Sequence, residues 1–152
     1  MQLKLPIDLP KDHKNDIIAV GCFDWRMRSR FMLFFEIYLR TTAFFPLDFP
    51  GGSKLINEYP EFIIPTFFST PIEKCGSKRI VILDHEDCLA WGGFSAFENR
   101  EIEKEFHYNQ LRMAKEKLIA AYPKEKLDIK LFYAQIIKDK RGKSLLEFLR
   151  VR

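Results

Sequence analysis

Two short apolar runs, IIAVGC (17–22) and RIVILDHEDC (79–88), each halt abruptly at polar, chemistry-bearing residues, and the pattern around them turns helical. Runs this short and this rich in Ile, Val and Leu read as strands buried on both faces, which is what a parallel sheet requires. Residues 27–42 are good helix formers mixed with aromatics, apolar nearly all round, which predicts a helix buried on more than one side. Pro46 and Pro50 stop any continuation, and AFFPLDFPGGS (43–53) suits a second short strand leading into a Gly51-Gly52 loop. In STPIEKCG (69–76), a Ser or Thr cap, Pro71 in the first turn and Gly76 as terminator predict a brief helix. Asn99 is a plausible cap for a helix reaching Tyr122, with Pro123 as the stop. LDIKLFYAQI (127–136) alternates as a later strand, and GKSLLEFLRV is expected to close the chain as a helix or turn. This order predicts a single α/β domain over residues 1–152, with a mostly parallel central sheet flanked by helices and an extended N-terminal segment at 1–16.

Composition narrows the class. A chain of 152 residues is long enough to bury one core unaided, and fifteen phenylalanines supply an aromatic interior. The 25 basic and 21 acidic residues are spread along the chain, so the net charge of +4 suggests no nucleic-acid partner. The start, MQLKLPIDLPKDHKND, has prolines and charges where a secretory leader needs an unbroken apolar stretch, and FMLFFEIYLRTTAFF (31–45) is short and interrupted by Glu36 and Arg40. A cytoplasmic protein without a membrane span is the expectation. Three cysteines, Cys22, Cys75 and Cys88, are an odd number and point to thiolates serving a metal or a reaction rather than a disulfide scaffold.

In open parallel sheets, ligands bind beyond the carboxyl ends of the strands, and Cys22 and His85 both stand at such ends. Cys88 follows His85 by three residues, so one short turn can offer an imidazole and a thiolate to the same ion. Two cysteines and a histidine form a borderline-soft set suited to Zn2+, with a fourth tetrahedral position left for water, substrate or a carboxylate. A metal with one open position lowers the pKa of bound water, which is a catalytic arrangement. If the chain stays extended after Cys22, alternate side chains put Cys22, Asp24 and Arg26 on one side. The guanidinium then holds the carboxylate ionised and oriented, ready to take a proton from water or to occupy the open position itself.

The pattern C-x-D-x-R (CFDWR) followed, with the histidine 63 positions after the cysteine, by H-x-x-C (HEDC) resembles the β-class carbonic anhydrases. The resemblance covers roughly residues 17–136, FPGGS being similar to the family's glycine-containing loop and the long helix after HEDC standing in a comparable place. It implies a zinc-dependent lyase for the reversible hydration of carbon dioxide to bicarbonate, with Cys22, His85 and Cys88 as ligands and Asp24 with Arg26 as the catalytic dyad that opens and closes the fourth position. It also implies a homodimer or higher homo-oligomer. Leu89 replaces the family's usual glycine and Trp25 its small residue between acid and arginine, changes that make the entrance more apolar. They motivate a second reading, a zinc hydrolase of carbonyl sulfide or carbon disulfide, and a third is an inactive zinc-binding homologue acting as an interaction protein.

Other residues have plainer expectations. His107 shares a helix face with Leu111, Ala114 and Leu118 and reads as a core histidine. His13 is expected to be exposed, Cys75 to be a spectator thiol, and Arg28 and Arg30 to lie on a solvated helix face. Glu86 and Asp87, between the proposed ligands, orient His85 or face solvent.

Overall fold

The computed structural model describes Lys4 and residues 12–152, so the expected N-terminal segment falls largely outside the described residues. Among the described residues, five strands form one sheet in the order β2-β1-β3-β4-β5: β1 (Ile17–Cys22), β2 (Phe45–Phe49), β3 (Arg79–His85), β4 (Asp128–Lys138) and β5 (Ser144–Val151). The first four run parallel, and β5 is antiparallel to β4. Because β2 lies on one side of β1 and β3 on the other, the chain reverses its direction of winding between β1 and β3. That reversal leaves a crevice at their carboxyl ends.

Alternation along the central strands divides the core into two layers. Ile18, Val20, Ile80 and Ile82 point to the face covered by α2 (Lys54–Glu58), α3 (Pro60–Ile63) and α4 (Arg100–Ala121). Ile17, Ala19, Val81 and Leu83 point to the face covered by α1 (Arg28–Leu39), where Phe31, Phe35 and Leu39 are buried. The same alternation sends Asp84 toward α4 and His85 toward α1. Asn99 caps α4 as its sequence suggests, its Oδ1 accepting the N–H groups of Glu101 and Ile102 at 3.0 Å. No helix among the described residues is long and apolar enough to cross a membrane.

Three expectations are corrected. α1 buries one side only: Leu33 and Ile37 face outward, because the sheet has one layer to offer it and no other described residue covers the far side. The closing segment is a strand, since SLLEFLRV alternates and Gly142, at φ 77°, turns the chain back in a hairpin braced by the Asp139 carboxylate. Ser69 caps nothing. Its Oγ donates to the Pro65 carbonyl within a helical run that starts at Pro60, passes through two π-helical stretches, Ile64–Phe68 and Thr70–Lys74, and ends before Gly76.

Candidate metal centre

β1 and β3 end side by side, and the ligand atoms of Cys22, His85 and Cys88 lie within 4.8 Å of one another. All three residues are buried. His85 comes straight off the strand, stacked near Phe31 with ring centroids 5.3 Å apart. Its Nδ1–H donates to the Glu86 carbonyl at 2.8 Å, which fixes the tautomer and leaves the Nε2 lone pair free. Nε2 is buried and has no hydrogen-bond partner among the described residues, a state His107 Nε2 shares, but here the free nitrogen stands beside two thiols. The two Sγ atoms are 3.9 Å apart, close to the roughly 3.8 Å that separates two thiolates each about 2.3 Å from a tetrahedral zinc. The donor set and its spacing fit zinc.

The groups titrate apart. The hydrogen bond from Cys88, with help from His85, pulls the Cys22 thiol down against the opposing effect of burial, while that bond and burial together push Cys88 up. Burial works against a charged His85, but the neighbouring Cys22 sulfur, the Glu86 carbonyl and the Asp24 carboxylate together raise its pKa. A cluster that already favours one thiolate is poised to bind a cation.

Asp24 and Arg26 come together by a different route from the one the alternation suggested. The chain leaves its extended course after β1 and turns, the Asp24 carbonyl accepting the N–H groups of Met27 and Arg28. Asp24 Oδ1 accepts the Arg26 backbone N–H at 3.0 Å, closing a side-chain turn, and the guanidinium folds back onto the carboxylate through Nε (3.0 and 3.1 Å) and Nη2 (2.6 Å). Hydrogen bonds from Arg26 therefore hold the Asp24 carboxyl below its ordinary range. Both Asp24 oxygens accept from Arg26, and the carboxylate lines the same cavity as Cys22 and Cys88.

A cavity of about 570 Å³ opens over the site, walled by Cys22, Cys88 and the dyad on the inside and by Phe23, Pro50 and Leu89 on the outside. Trp25 is 87% exposed and Leu89 81%, so neither plugs the cavity; both form its apolar rim. Cys75 is buried at the opposite end of the sheet, where it lines a separate cavity with Lys14 and Lys74. It takes no part in the centre, and His13 is exposed. Arg28 and Arg30 are both exposed on α1 as expected, Arg28 pairing there with Asp48 at 2.7 Å.

Behind the centre, on the α4 face, lies a polar group the sequence reading did not assemble. Asp84 is fully buried and accepts Ser53 N–H (2.8 Å), Ser53 Oγ–H (2.6 Å) and His107 Nδ1–H (3.3 Å). Ser53 reaches it because Gly52 has no side chain: a Cβ there would stand 2.5 Å from Asp84 Oδ1. Glu86 is buried too, paired with Arg100 and accepting the Ile136 N–H at 2.6 Å, so it ties β3 to β4 rather than orienting the imidazole through its side chain. The carboxylate of Asp87 meets Arg26. The available signal was the alternation of β3, which sets Asp84 and His85 on opposite faces.

No protein-family model matches the sequence, and comparison with curated proteins finds no relative. Solved structures do match. A β-carbonic anhydrase isoform from the protozoan Trichomonas vaginalis superposes with a TM-score of 0.56 at 16% identity, over 93% of this chain and 87% of that one. The β-carbonic anhydrase CafA of the fungal pathogen Aspergillus fumigatus gives a TM-score of 0.57 at 13% identity, over 90% and 76%. The fold is β-carbonic anhydrase-like. With identity this low, the β-carbonic anhydrase likeness speaks for architecture, and the chemistry rests on the residues described above.

Proposed function

We propose that this protein is a zinc-dependent carbonic anhydrase-like lyase that interconverts carbon dioxide and bicarbonate. One observation carries the reading: two buried thiols and an unpartnered imidazole nitrogen converge at a strand-end crevice beside an Asp–Arg pair. Cys22, His85 and Cys88 would hold the zinc, which when bound supplies Lewis acidity that brings the ionisation of water toward neutral pH. The Glu86 carbonyl keeps His85 Nε2 turned to that position. Asp24, kept ionised and oriented by Arg26, offers a hydrogen-bond acceptor at the cavity wall, and its slight exposure lets it help pass the proton that hydration releases out to solvent. Apolar walls from Phe23, Pro50 and Leu89 favour a small uncharged substrate over bulk water.

The test is proton release on addition of carbon dioxide to the zinc-loaded protein. A rate well above buffer supports the reading, and a buffer-level rate with one zinc per chain contradicts it. The apolar rim favours one second reading, hydrolysis of carbonyl sulfide or carbon disulfide, separable by sulfide release. The proposal includes a homodimer in a cytoplasmic setting. The exposed Leu33 and Ile37 of α1 and the rim of the cavity support the dimer as surfaces a second copy would cover, which sedimentation would test.

A further inference from the structure

Arg26 is held by two carboxylates, not one. Asp24 takes the Nε/Nη2 edge of the guanidinium, and Asp87 takes the other edge, its Oδ2 accepting from Nη1 at 2.8 Å and its backbone carbonyl accepting from Nη2 at 2.9 Å. Asp87 is itself fixed at every polar atom. Its N–H donates to Oε1 of the buried Glu103 at 2.6 Å, and its Oδ1 accepts the Phe94 N–H at 3.1 Å. It also sits in the left-handed region at φ 57°, a conformation that Asp and Asn tolerate better than other side chains but that still costs energy unless the surroundings impose it. In this conformation both its carbonyl and its carboxylate meet the same guanidinium.

An isolated ion pair on a surface contributes little. Here a planar fork uses several of its donors on groups that are individually anchored, a geometry an ammonium cannot reproduce.

We propose that Asp87 is a positioning residue: anchored by α4 through Glu103, it clamps Arg26 and so fixes the direction in which Asp24 is presented to the Cys22–His85–Cys88 centre. The inference rests on the functional reading above only for its kinetic consequence. The clamp can be examined without turnover.

The experiment uses the full-length zinc-loaded chain and compares Asp87→Gly, which keeps the left-handed backbone and removes the carboxylate, with Asp87→Asn, which keeps the conformation and one acceptor. Hydrogen exchange of Arg26 Nε–H, followed by nitrogen-15 NMR, is the primary readout. In Asp87→Gly it is expected to accelerate about tenfold with zinc stoichiometry unchanged, and kcat for carbon dioxide to fall between about 10- and 100-fold at little change in KM. Asp87→Asn should recover part of both, and it carries the test alone if the glycine variant does not fold. Unchanged exchange at Arg26 in a folded, zinc-replete variant overturns the clamp whatever the activity. If the parent chain hydrates no carbon dioxide but exchange accelerates, the clamp stands and the catalytic reading fails.

Discussion

His85 and His107 are both buried and lie on opposite faces of the sheet, one bonded to the residue just past β3 and the other to Asp84 within it, yet they are built for different work. His85 gives its Nδ1–H to a carbonyl and turns a bare Nε2 toward two thiols. His107 gives its Nδ1–H to Asp84, and its Nε2 lies 3.9 Å from the nearer Glu103 oxygen, so it is enclosed by carboxylates inside the core. Burial alone therefore does not mark a functional histidine. What separates the two is whether the free nitrogen opens on a set of soft donors beside a cavity or on the packed interior.

Substitutions should split along that line. Cys22→Ala, His85→Ala or Cys88→Ala should weaken zinc binding by more than about 100-fold and reduce carbon dioxide hydration to the buffer rate. Metal analysis after dialysis against a chelator checks this. On the other face, Asp84→Ala strands the Ser53 N–H and hydroxyl and His107, and should cost about 3 kcal/mol in chemical denaturation while purified, folded protein keeps its zinc. If Asp84→Ala released zinc as readily as Cys88→Ala, the two faces would not be independent. Asp24→Asn should retain zinc and lower kcat/KM on the order of 100-fold, read from initial rates of proton release.

The two carboxylates Asp24 and Glu103 sharpen the contrast through pH. Arg26 lowers the Asp24 pKa, so its contribution to stability is present above the ordinary carboxylate range and is lost as pH falls through its folded value. Burial raises that of Glu103 despite the Asp87 N–H, so stability is greatest below its unfolded pKa and declines as pH rises through the folded one. Glu103→Gln, which keeps an acceptor for Asp87, should flatten that decline in denaturation curves taken from about pH 4 to 8. The smallest effect belongs to the rim: Trp25→Ala should alter stability by less than about 0.5 kcal/mol, and a larger loss would show that Trp25 packs against something, a second copy included.

Much of the centre was legible because its parts sit at strand ends, where an apolar run stops and the next side chains carry chemistry. β1 has the predicted bounds, and Cys22, His85 and Cys88 meet as their spacing suggested. The Asp24–Arg26 pair formed as expected but through a turn, because Asp24 caps local backbone N–H groups more favourably than an extended chain would allow. α1 misled because an all-round apolar pattern cannot say how many sides find a partner within one chain. Asp87 was opaque for another reason: its role depends on a left-handed backbone and on Glu103, sixteen residues away on α4, and no local pattern encodes that meeting.

The central claim is that Cys22, His85 and Cys88 form a zinc site, and metal stoichiometry of the purified protein tests it most directly. One zinc per chain, retained through dialysis in the parent and in Cys75→Ala but absent in Cys22→Ala and Cys88→Ala, is the predicted result. No zinc in the parent after purification and reconstitution, or zinc that survives both ligand substitutions, would contradict it.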